Sequence, residues 1–128
     1  MLIEHVAVGV LINNDNQVLI AKRPVDKHMG DKWEFPGGKV EDGETSQEAL
    51  RREMQEELGI EIQSAEFLVD IIHEYEDKKV ILDVYEVKQW LGEAQGMEDQ
   101  PLLWVEKNAL ENYEFPTANT EILAELNR

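Results

Sequence analysis

The sequence lacks cysteine, long apolar runs and an excess of basic residues. None of its 128 residues is cysteine, which excludes disulfides and thiolate chemistry and fits a reducing compartment. No apolar run approaches the ~20 residues that span a bilayer. The first five residues carry no basic region of the kind that begins a signal peptide. We therefore expect a cytoplasmic protein without a membrane partner.

Basic residues are few compared with acidic ones. The 12 Lys and Arg oppose 28 Asp and Glu, so the formal net charge is −16. Duplex nucleic acid and anionic membranes require a positive face, and this composition argues against both partners. An anionic small molecule is still allowed, provided that bound cations or a few well-placed Lys and Arg neutralise it. The length fits one domain of ~100–150 residues, and nothing in the pattern demands more than a monomer.

The order of predicted elements indicates an α/β fold in a single domain, residues 1–128. Strands at residues 6–12 and 18–21 flank the turn formers Asn13 to Asn16, which predicts a hairpin. Pro36-Gly37-Gly38 is expected to break a short extended segment. Further strands and a final helix are predicted at 67–74, 80–89, 102–105 and 117–126. Strands interleaved with two separated helices favour an α/β sandwich with a mixed sheet.

The clearest helix signal lies between residues 45 and 58. The run from Thr45 to Glu48 has the Ser/Thr-x-x-Glu form of a capping box, and Gly59 follows where a helix-ending glycine is common. Leu50, Met54 and Leu58 recur at i, i+4 and i+8. This spacing predicts an amphipathic helix that buries one apolar stripe.

Three carboxylates share one flank of this predicted helix. At ~100° per residue, Glu53, Glu56 and Glu57 fall within an arc of ~100° beside the apolar stripe. Like charges placed so closely repel one another unless a cation neutralises them, and oxygen ligands suit hard ions such as Mg²⁺ or Mn²⁺. Arg52 and Glu44 are near enough in the chain to orient these carboxylates. For the helix taken alone, a solvated acidic face is the alternative explanation.

The spacing around the helix strengthens the metal-site explanation. Gly38 is followed after five residues by Glu44, after seven more by Arg52-Glu53, and then by Glu56-Glu57 and Gly59. From this chain's composition, the seven identities arise by chance at ~10⁻⁷ per window. The segment resembles the signature of the Nudix family, with Met54 replacing the usual Ile, Leu or Val.

This resemblance implies a fold, a reaction and a cofactor. The implied fold is a Nudix-type α/β/α sandwich with a mixed β-sheet. The implied reaction is hydrolysis of a nucleoside diphosphate linked to another moiety. Mg²⁺ is the expected cofactor, with Mn²⁺ as a substitute. Another hypothesis is a Nudix-fold module that binds a ligand without catalysis. It is disfavoured because such modules usually lose glutamates of the signature, and here all of them are present. A Ca²⁺ buffer is disfavoured because the chain has no EF-hand loop.

Flanking segments resemble the MutT-like members of the family, which are 8-oxo-dGTP diphosphatases. They are Val6-Ala7-Val8-Gly9, Lys22-Arg23-Pro24, Asp26-Lys27-His28-Met29, Trp33-Glu34-Phe35-Pro36-Gly37-Gly38-Lys39, Glu98-Asp99-Gln100-Pro101 and Phe115-Pro116-Thr117-Ala118-Asn119. The resemblance implies water attack at the β-phosphorus of 8-oxo-dGTP, and also of dGTP and 8-oxo-GTP. The products are a nucleoside monophosphate and pyrophosphate, and a mutagenic nucleotide leaves the pool. The alternative is another Nudix substrate: an oxidised pyrimidine nucleotide, a CTP-like nucleotide or ADP-ribose.

The same resemblance assigns roles to individual residues. Its implied metal ligands are the Gly37 carbonyl and the carboxylates of Glu53, Glu56, Glu57 and Glu98. Glu53 is the first candidate for general base and Glu98 the second, and the other predicted catalytic residues are Glu56, Arg52 and Glu44. The predicted substrate-binding residues are Arg23, His28, Glu34, Phe35, Pro36, Gly37, Lys78 and Asn119.

Alternative explanations, or departures from the family pattern, concern three residues: Asn119, Lys78 and Lys39. The Asn119 amide offers a donor and an acceptor, which suits the O6 and N7–H edge of 8-oxoguanine. The alternative explanation is a helix-cap or first-turn asparagine. At position 78 the family pattern has arginine, and Lys78 keeps the charge without the planar fork. Lys39 is either a phosphate contact or a solvated surface lysine.

Overall fold

The computed structural model describes residues 2–23 and 31–127. Its elements follow the chain in this order: β1 (Leu2–Leu11), β2 (Gln17–Lys22), β3 (Trp33–Glu34), β4 (Gly37–Lys39), α1 (Ser46–Leu58), β5 (Glu61–Glu74), β6 (Lys78–Leu91), β7 (Leu102–Glu106), a 3₁₀ helix (Lys107–Asn112) and α2 (Thr117–Leu126). The two α-helices begin and end within a residue of the predicted bounds. The 3₁₀ helix was not expected from the sequence.

The strands form two sheets. In the first, the order is β4-β1-β6-β5, with β1 and β6 parallel and the other pairs antiparallel. In the second, β3 and β7 flank β2, and both pairs are antiparallel. The α/β class and the mixed sheet expected from the sequence are therefore confirmed.

The predicted hairpin between the first two strands is wrong. β1 and β2 belong to different sheets, and an isolated antiparallel bridge joins Ile12 to Val18 where the chain reverses. Both edges of β1 are already occupied by β4 and β6. Turn formers predict that the chain reverses, but they do not determine which strand becomes the neighbour.

The expected break of the short extended segment occurs at Phe35 and Pro36, between β3 and β4. The structure differs at the two glycines, because Gly37–Lys39 forms β4 and pairs with Val6, Ala7 and Val8. Glycine is required for this close approach. A Cβ at Gly37 would overlap the Ala7 carbonyl oxygen. The short strand thus lies tightly against β1 and positions the loop backbone that precedes α1.

Helix α1 has the predicted caps. The Thr45 hydroxyl accepts a hydrogen bond from the Glu48 N–H at 3.1 Å, and the Glu48 carboxylate accepts one from the Thr45 N–H at 2.8 Å. Gly59 ends the helix with φ of 68°, in the left-handed region that favours glycine. Leu50, Met54 and Leu58 are fully buried, as the apolar spacing predicts.

The two helices cover opposite faces of the mixed sheet. Along β1, Ala7 and Leu11 pack into the cluster that contains the stripe of α1. Val8 and Val10 point the other way, into the cluster that contains Ile122 of α2. This alternation gives the predicted sandwich. Within the described part of the chain, none of the helices is both long and apolar enough to cross a membrane.

Candidate active site

Two adjoining cavities open on the side of the sheet edge formed by β4. The first, which we call the carboxylate cavity, has a volume of about 310 Å³ and contains Glu53, Glu57 and Glu98. The second, the strand cavity, has a volume of about 360 Å³ and a floor made by β1 and β6. The two cavities share a wall: Arg23, Glu34, Gly37 and Gly38 line both.

The carboxylate cavity gathers acids from three separate segments. Glu53 and Glu57 come from α1, Glu98 from the loop before β7, and Glu34 from β3. Burial is the main cause that raises the pKa of Glu57 to about 9, and a hydrogen bond with Glu53 and the nearby charges of Glu53, Glu34 and Glu98 add to it. Four carboxyl groups thus line the cavity with two cationic side chains, Lys22 and Arg23, so acidic groups predominate.

Gly38, the first residue of the family signature, has a steric reason to be glycine. A Cβ at this position would overlap the carboxylate of Glu53. The absence of a side chain lets β4 approach α1 and brings the Gly37-Gly38 backbone to the edge of the acidic cluster. This close approach explains how Gly37 and Gly38 of β4 and the glutamates of α1 come to line one cavity.

Arg52 organises the carboxylates at the outer side of α1. Its Nε and Nη2 donate to the two oxygens of Glu44 at 2.8 and 3.0 Å, a bidentate pair. Its Nη1 lies 3.2 Å from an oxygen of Glu53 and 3.2 Å from one of Glu56. The hydrogen bond from Arg52 is the main cause that lowers the pKa of Glu44 to about 2.

This network distinguishes Glu56 from the other predicted metal ligands. Its carboxylate is half exposed and lies against Arg52, and it does not line the carboxylate cavity. Arg52 and Glu44, by contrast, occupy the orienting positions that their place in the chain suggested. The metal and catalytic roles of all these residues remain predictions.

The loop that carries Glu98 docks on the end of α1. The N–H groups of Gln95 and Met97 donate to the carbonyls of Leu58 and Glu57, each at 3.0 Å. A helix end leaves such carbonyls without intrahelical partners. The loop thus completes the hydrogen bonding of the helix terminus.

Gln100 connects Glu98 directly to α1. The side-chain amide nitrogen of Gln100 donates to the Glu57 carbonyl at 3.0 Å, and its amide oxygen accepts from the Glu98 N–H at 2.9 Å. One amide group therefore fixes the backbone of the loop acid relative to the helix acid. No role of its own was predicted for Gln100 from the sequence.

The carboxylate cavity fits a hard divalent cation by its donor set. Across residues 2–23 and 31–127, no three His, Cys, Asp or Glu side chains come together as a formed metal cage. The potential metal ligands in the cavity are oxygen atoms, and after burial the repulsion from Glu53, Glu34 and Glu98 also raises the pKa of Glu57. A divalent cation would relieve this repulsion, and oxygen-only donors suit Mg²⁺.

The strand cavity has an apolar floor and charged or polar groups around it. The floor consists of Val6 and Val8 from β1 and Val80 and Leu82 from β6. Phe35, a predicted substrate contact, lines the cavity and stacks on Phe115, with ring centroids 5.3 Å apart and planes 16° apart. An apolar floor of this kind suits an aromatic ring.

Asn119 supplies an amide to this apolar space. It lies in the first turn of α2, and its Oδ1 is 3.4 Å from the N–H of Phe35. Helix α2 begins after Pro116 without a side-chain cap, so Asn119 is not a cap, whereas its place in the first turn agrees with the other half of that alternative. Its amide lines the strand cavity instead.

The remaining predicted substrate contacts are divided between the wall and the far end of the strand cavity. In the shared wall, Arg23 donates to Glu34 at 2.6 Å. Lys78 lines the strand cavity, 5.9 Å from the centre of the Tyr75 ring. Pro36 is buried next to Phe35. His28 lies outside the described residues.

Sequence reasoning missed several residues of the strand cavity. Its apolar floor looks like ordinary core because β1 and β6 alternate in the usual strand pattern. Tyr75 and Glu4 also line it, although each sits in a segment that reads as a strand end. Glu4 carried no signal of its own, since it precedes the strand predicted at residues 6–12 in a chain rich in acids.

Comparison with known proteins matches nearly the whole chain. A family model described as the NUDIX domain covers residues 7–125. The chain is 41% identical over 124 residues to the 8-oxo-dGTP diphosphatase of Escherichia coli (strain K12), covering 97% of this chain and 96% of that protein. It is 35% identical over 115 residues to the CTP pyrophosphohydrolase of the same strain, covering 90% and 84%. A solved MutT structure, from a study of the Aliivibrio salmonicida and Vibrio cholerae proteins, matches with a TM-score of 0.86 and 34% identity over 97% of this chain and 96% of that chain.

Proposed function

The chain belongs to the Nudix hydrolase family, and from this premise we propose that it is an 8-oxo-dGTP diphosphatase that also accepts dGTP and 8-oxo-GTP. Removing the oxidised nucleotide from the pool would prevent its incorporation into DNA. The observation that supports this substrate is the shared wall between the two cavities. A nucleotide can lie across that wall with its phosphates over the carboxylates and its base in the strand cavity.

The proposed reaction is hydrolysis at the β-phosphorus. Water forms the new bond to the β-phosphorus, and the bond from this phosphorus to the oxygen of the α-phosphate breaks. The products are pyrophosphate and the nucleoside monophosphate. A base must accept the proton that the attacking water loses.

We assign this base role to Glu53 in preference to Glu98. Glu53 lies on a rigid helix, lines the cavity and has one oxygen 3.2 Å from Nη1 of Arg52, which orients it. Glu98 lies on an exposed loop, although Gln100 fixes its backbone. Arg52 in turn is oriented by the bidentate contact with Glu44.

The proposed cofactor is Mg²⁺, with Mn²⁺ as a substitute. The residues that would hold it are Glu53, Glu56, Glu57 and Glu98, with the Gly37 carbonyl. A bound divalent ion neutralises the triphosphate and activates water. Glu56 would have to leave its contact with Arg52, so it is the member of this set that the geometry supports least.

Base selection is assigned to the strand cavity. Asn119 can donate to O6 and accept from N7–H, the edge that distinguishes 8-oxoguanine from guanine. Phe35 lines the same cavity and is held in place by its stacking on Phe115. Arg23, Glu34 and the backbone near Pro36 and Gly37 surround the nucleoside from the shared wall.

A second candidate is hydrolysis of a CTP-like nucleotide. It is favoured by the 35% identity to the CTP pyrophosphohydrolase. The same carboxylate cavity would serve this reaction. The two candidates therefore differ only in the nucleotide base that the strand cavity would select. The cytoplasmic location, the monomeric state and the single-domain extent over 1–128 stay predictions from the sequence.

Steady-state hydrolysis with Mg²⁺ tests the proposal. We expect 8-oxo-dGTP to exceed dGTP by a hundredfold or more in kcat/KM, about 2.7 kcal/mol of discrimination, and EDTA to abolish turnover of both. CTP and 5-hydroxy-dCTP serve as comparison substrates. Metal-dependent turnover that favours either pyrimidine nucleotide would reject the 8-oxo-dGTP assignment and support the second candidate.

A further inference from the structure

A charged side chain lies at the end of the strand cavity farthest from the shared wall. Glu4 lines this cavity with Val6, Val80 and Leu82, and only 18% of its side chain is exposed. A carboxylate beside an apolar floor is costly unless it is paired. A solvated surface role therefore does not explain its position.

Two lysines compensate the charge of Glu4. Lys39 Nζ lies 2.8 Å from its Oε1 and Lys78 Nζ lies 3.1 Å from its Oε2. The hydrogen bond from Lys39 is the main cause that lowers the pKa of Glu4, and Lys78 adds to it against the opposing effect of burial. Each carboxylate oxygen has about two acceptor sites. One lysine on each oxygen therefore leaves Glu4 able to accept from a ligand.

Glu4 and Asn119 lie at different positions along the cavity. Val8 pairs with Gly37 of the shared wall, and Glu4 is four residues earlier on β1, roughly 13 Å away along the strand. The Asn119 amide lies next to Phe35, beside that wall. A base resting on the strand floor would meet Asn119 at one edge and Glu4 at another.

We propose that Glu4 is a specificity-determining residue that accepts hydrogen bonds from the N1–H and the 2-amino group of a guanine base. The inference rests on the proposed function, since it concerns the other edge of the same substrate. These two donors are adjacent and point the same way, which matches the two oxygens of one carboxylate. Hydrogen bonds to an ionised acceptor are stronger than neutral ones. Cytosine presents an acceptor beside its amino group, and a carboxylate repels that acceptor.

The test compares 8-oxo-dGTP with 8-oxo-dITP, which lacks only the 2-amino group. We expect wild-type kcat/KM to favour 8-oxo-dGTP by about tenfold or more, because the lost contact involves a charged acceptor. Glu4→Gln keeps the side-chain size but exchanges one acceptor for a donor, so it should remove most of this preference. Glu86→Gln is the matched control: Glu86 is also on a strand of the mixed sheet, is 21% exposed and pairs with Lys88 at 3.4 Å.

A second ratio separates base reading from general damage. Both dGTP and 8-oxo-dGTP carry the N1–H and the 2-amino group, so Glu4→Gln should leave the ratio of their kcat/KM values unchanged. Calorimetric binding of 8-oxo-dGMP and 8-oxo-dIMP gives the same comparison without turnover. Should Glu4→Gln fail to fold, Glu4→Asp withdraws the carboxylate by one methylene and is expected to lower the 2-amino preference.

The outcomes distinguish this inference from the proposed function. If the wild type does not hydrolyse 8-oxo-dGTP, the proposed function itself is rejected. If the wild type is active and Glu4→Gln keeps the 2-amino preference, only the role of Glu4 is overturned. Equal losses on 8-oxo-dGTP and 8-oxo-dITP would overturn it as well, since they would show that Glu4 acts only by holding the lysines.

Discussion

The two cavities of this protein are built in different ways. The carboxylate cavity takes Glu53 and Glu57 from one capped helix, and nearby side chains and backbone groups hold its parts in place. The strand cavity is assembled from strands that are distant in the chain, with β1 and β6 paired in parallel. Under the proposed function, the first would supply chemistry through fixed charges. The second would select the base through an apolar floor with polar groups at its edges.

The comparison shows where variation in this fold can change function. If the proposed function holds, a change in the carboxylate cavity should affect hydrolysis of every substrate, because all of them would present phosphates to the same acids. A change in the strand cavity should alter which base is accepted and leave hydrolysis possible. The variants below test this separation.

The largest effect is expected from Glu53→Gln. The variant removes a charge and the proposed base, so kcat should fall by about 10²–10⁴-fold. Binding of 8-oxo-dGMP, measured by calorimetry without metal, should be unchanged because the strand cavity is intact. Glu61→Gln, at an exposed glutamate that begins β5, is the control. Near wild-type turnover of Glu53→Gln would contradict the base assignment.

Asn119→Ala should affect selection and leave the chemistry intact. Leaving the base edge without its partner costs about 1–3 kcal/mol, or about 5–150-fold in kcat/KM for 8-oxo-dGTP. The loss for dGTP should be smaller, since dGTP lacks the N7–H donor. Asn108→Ala, at an exposed asparagine of the 3₁₀ helix, is the control. Equal losses on both nucleotides would show that Asn119 does not read the oxidised edge.

Gln100→Leu tests the connection between Glu98 and α1. The variant removes the hydrogen bonds to the Glu98 N–H and the Glu57 carbonyl. We expect kcat to fall by about tenfold, corresponding to about one net hydrogen bond, with KM for 8-oxo-dGTP little changed and the Mg²⁺ concentration for half-maximal rate raised. Gln95→Leu alters an exposed side chain of the same loop and should match the wild type. A change in KM alone would argue against a positioning role for Gln100.

The smallest effect is expected from Thr45→Ala at the start of α1. Loss of the capping bond to Glu48 should lower the free energy of unfolding by about 1 kcal/mol, measured by urea denaturation, without changing kcat at 25 °C. Thr117→Ala at the start of α2 is the matched control, because α2 has no side-chain cap. Equal destabilisation by the two variants would show that the capping box adds nothing specific to α1.

The sequence predicts the carboxylate cavity better than the strand cavity for a physical reason. The caps, the apolar stripe and the flank of Glu53, Glu56 and Glu57 all depend on contacts within a few turns of one helix. Helix geometry converts that spacing directly into positions in space. The position of Glu56 against Arg52 was not predicted, since it depends on which of several acids the arginine contacts.

The strand cavity could not be predicted because it depends on pairing between distant segments. β1 pairs with β6, and no local turn signal reports a parallel partner that far along the chain. For the same reason, the prediction of a hairpin between β1 and β2 was wrong. Asn119 was identified by resemblance, whereas Glu4 looked like any other acid in an acidic chain until Lys39 and Lys78 were seen beside it.

The docking of the Glu98 loop also has a consequence for protein engineering. Gln95 and Met97 attach the loop to α1 through backbone N–H groups, which every residue except proline possesses. A library that randomises the exposed side chains of this loop other than Glu98 and Asp99, with proline excluded, should therefore keep the loop in place. Such a library could alter the surroundings of the acidic cluster while its frame stays constant.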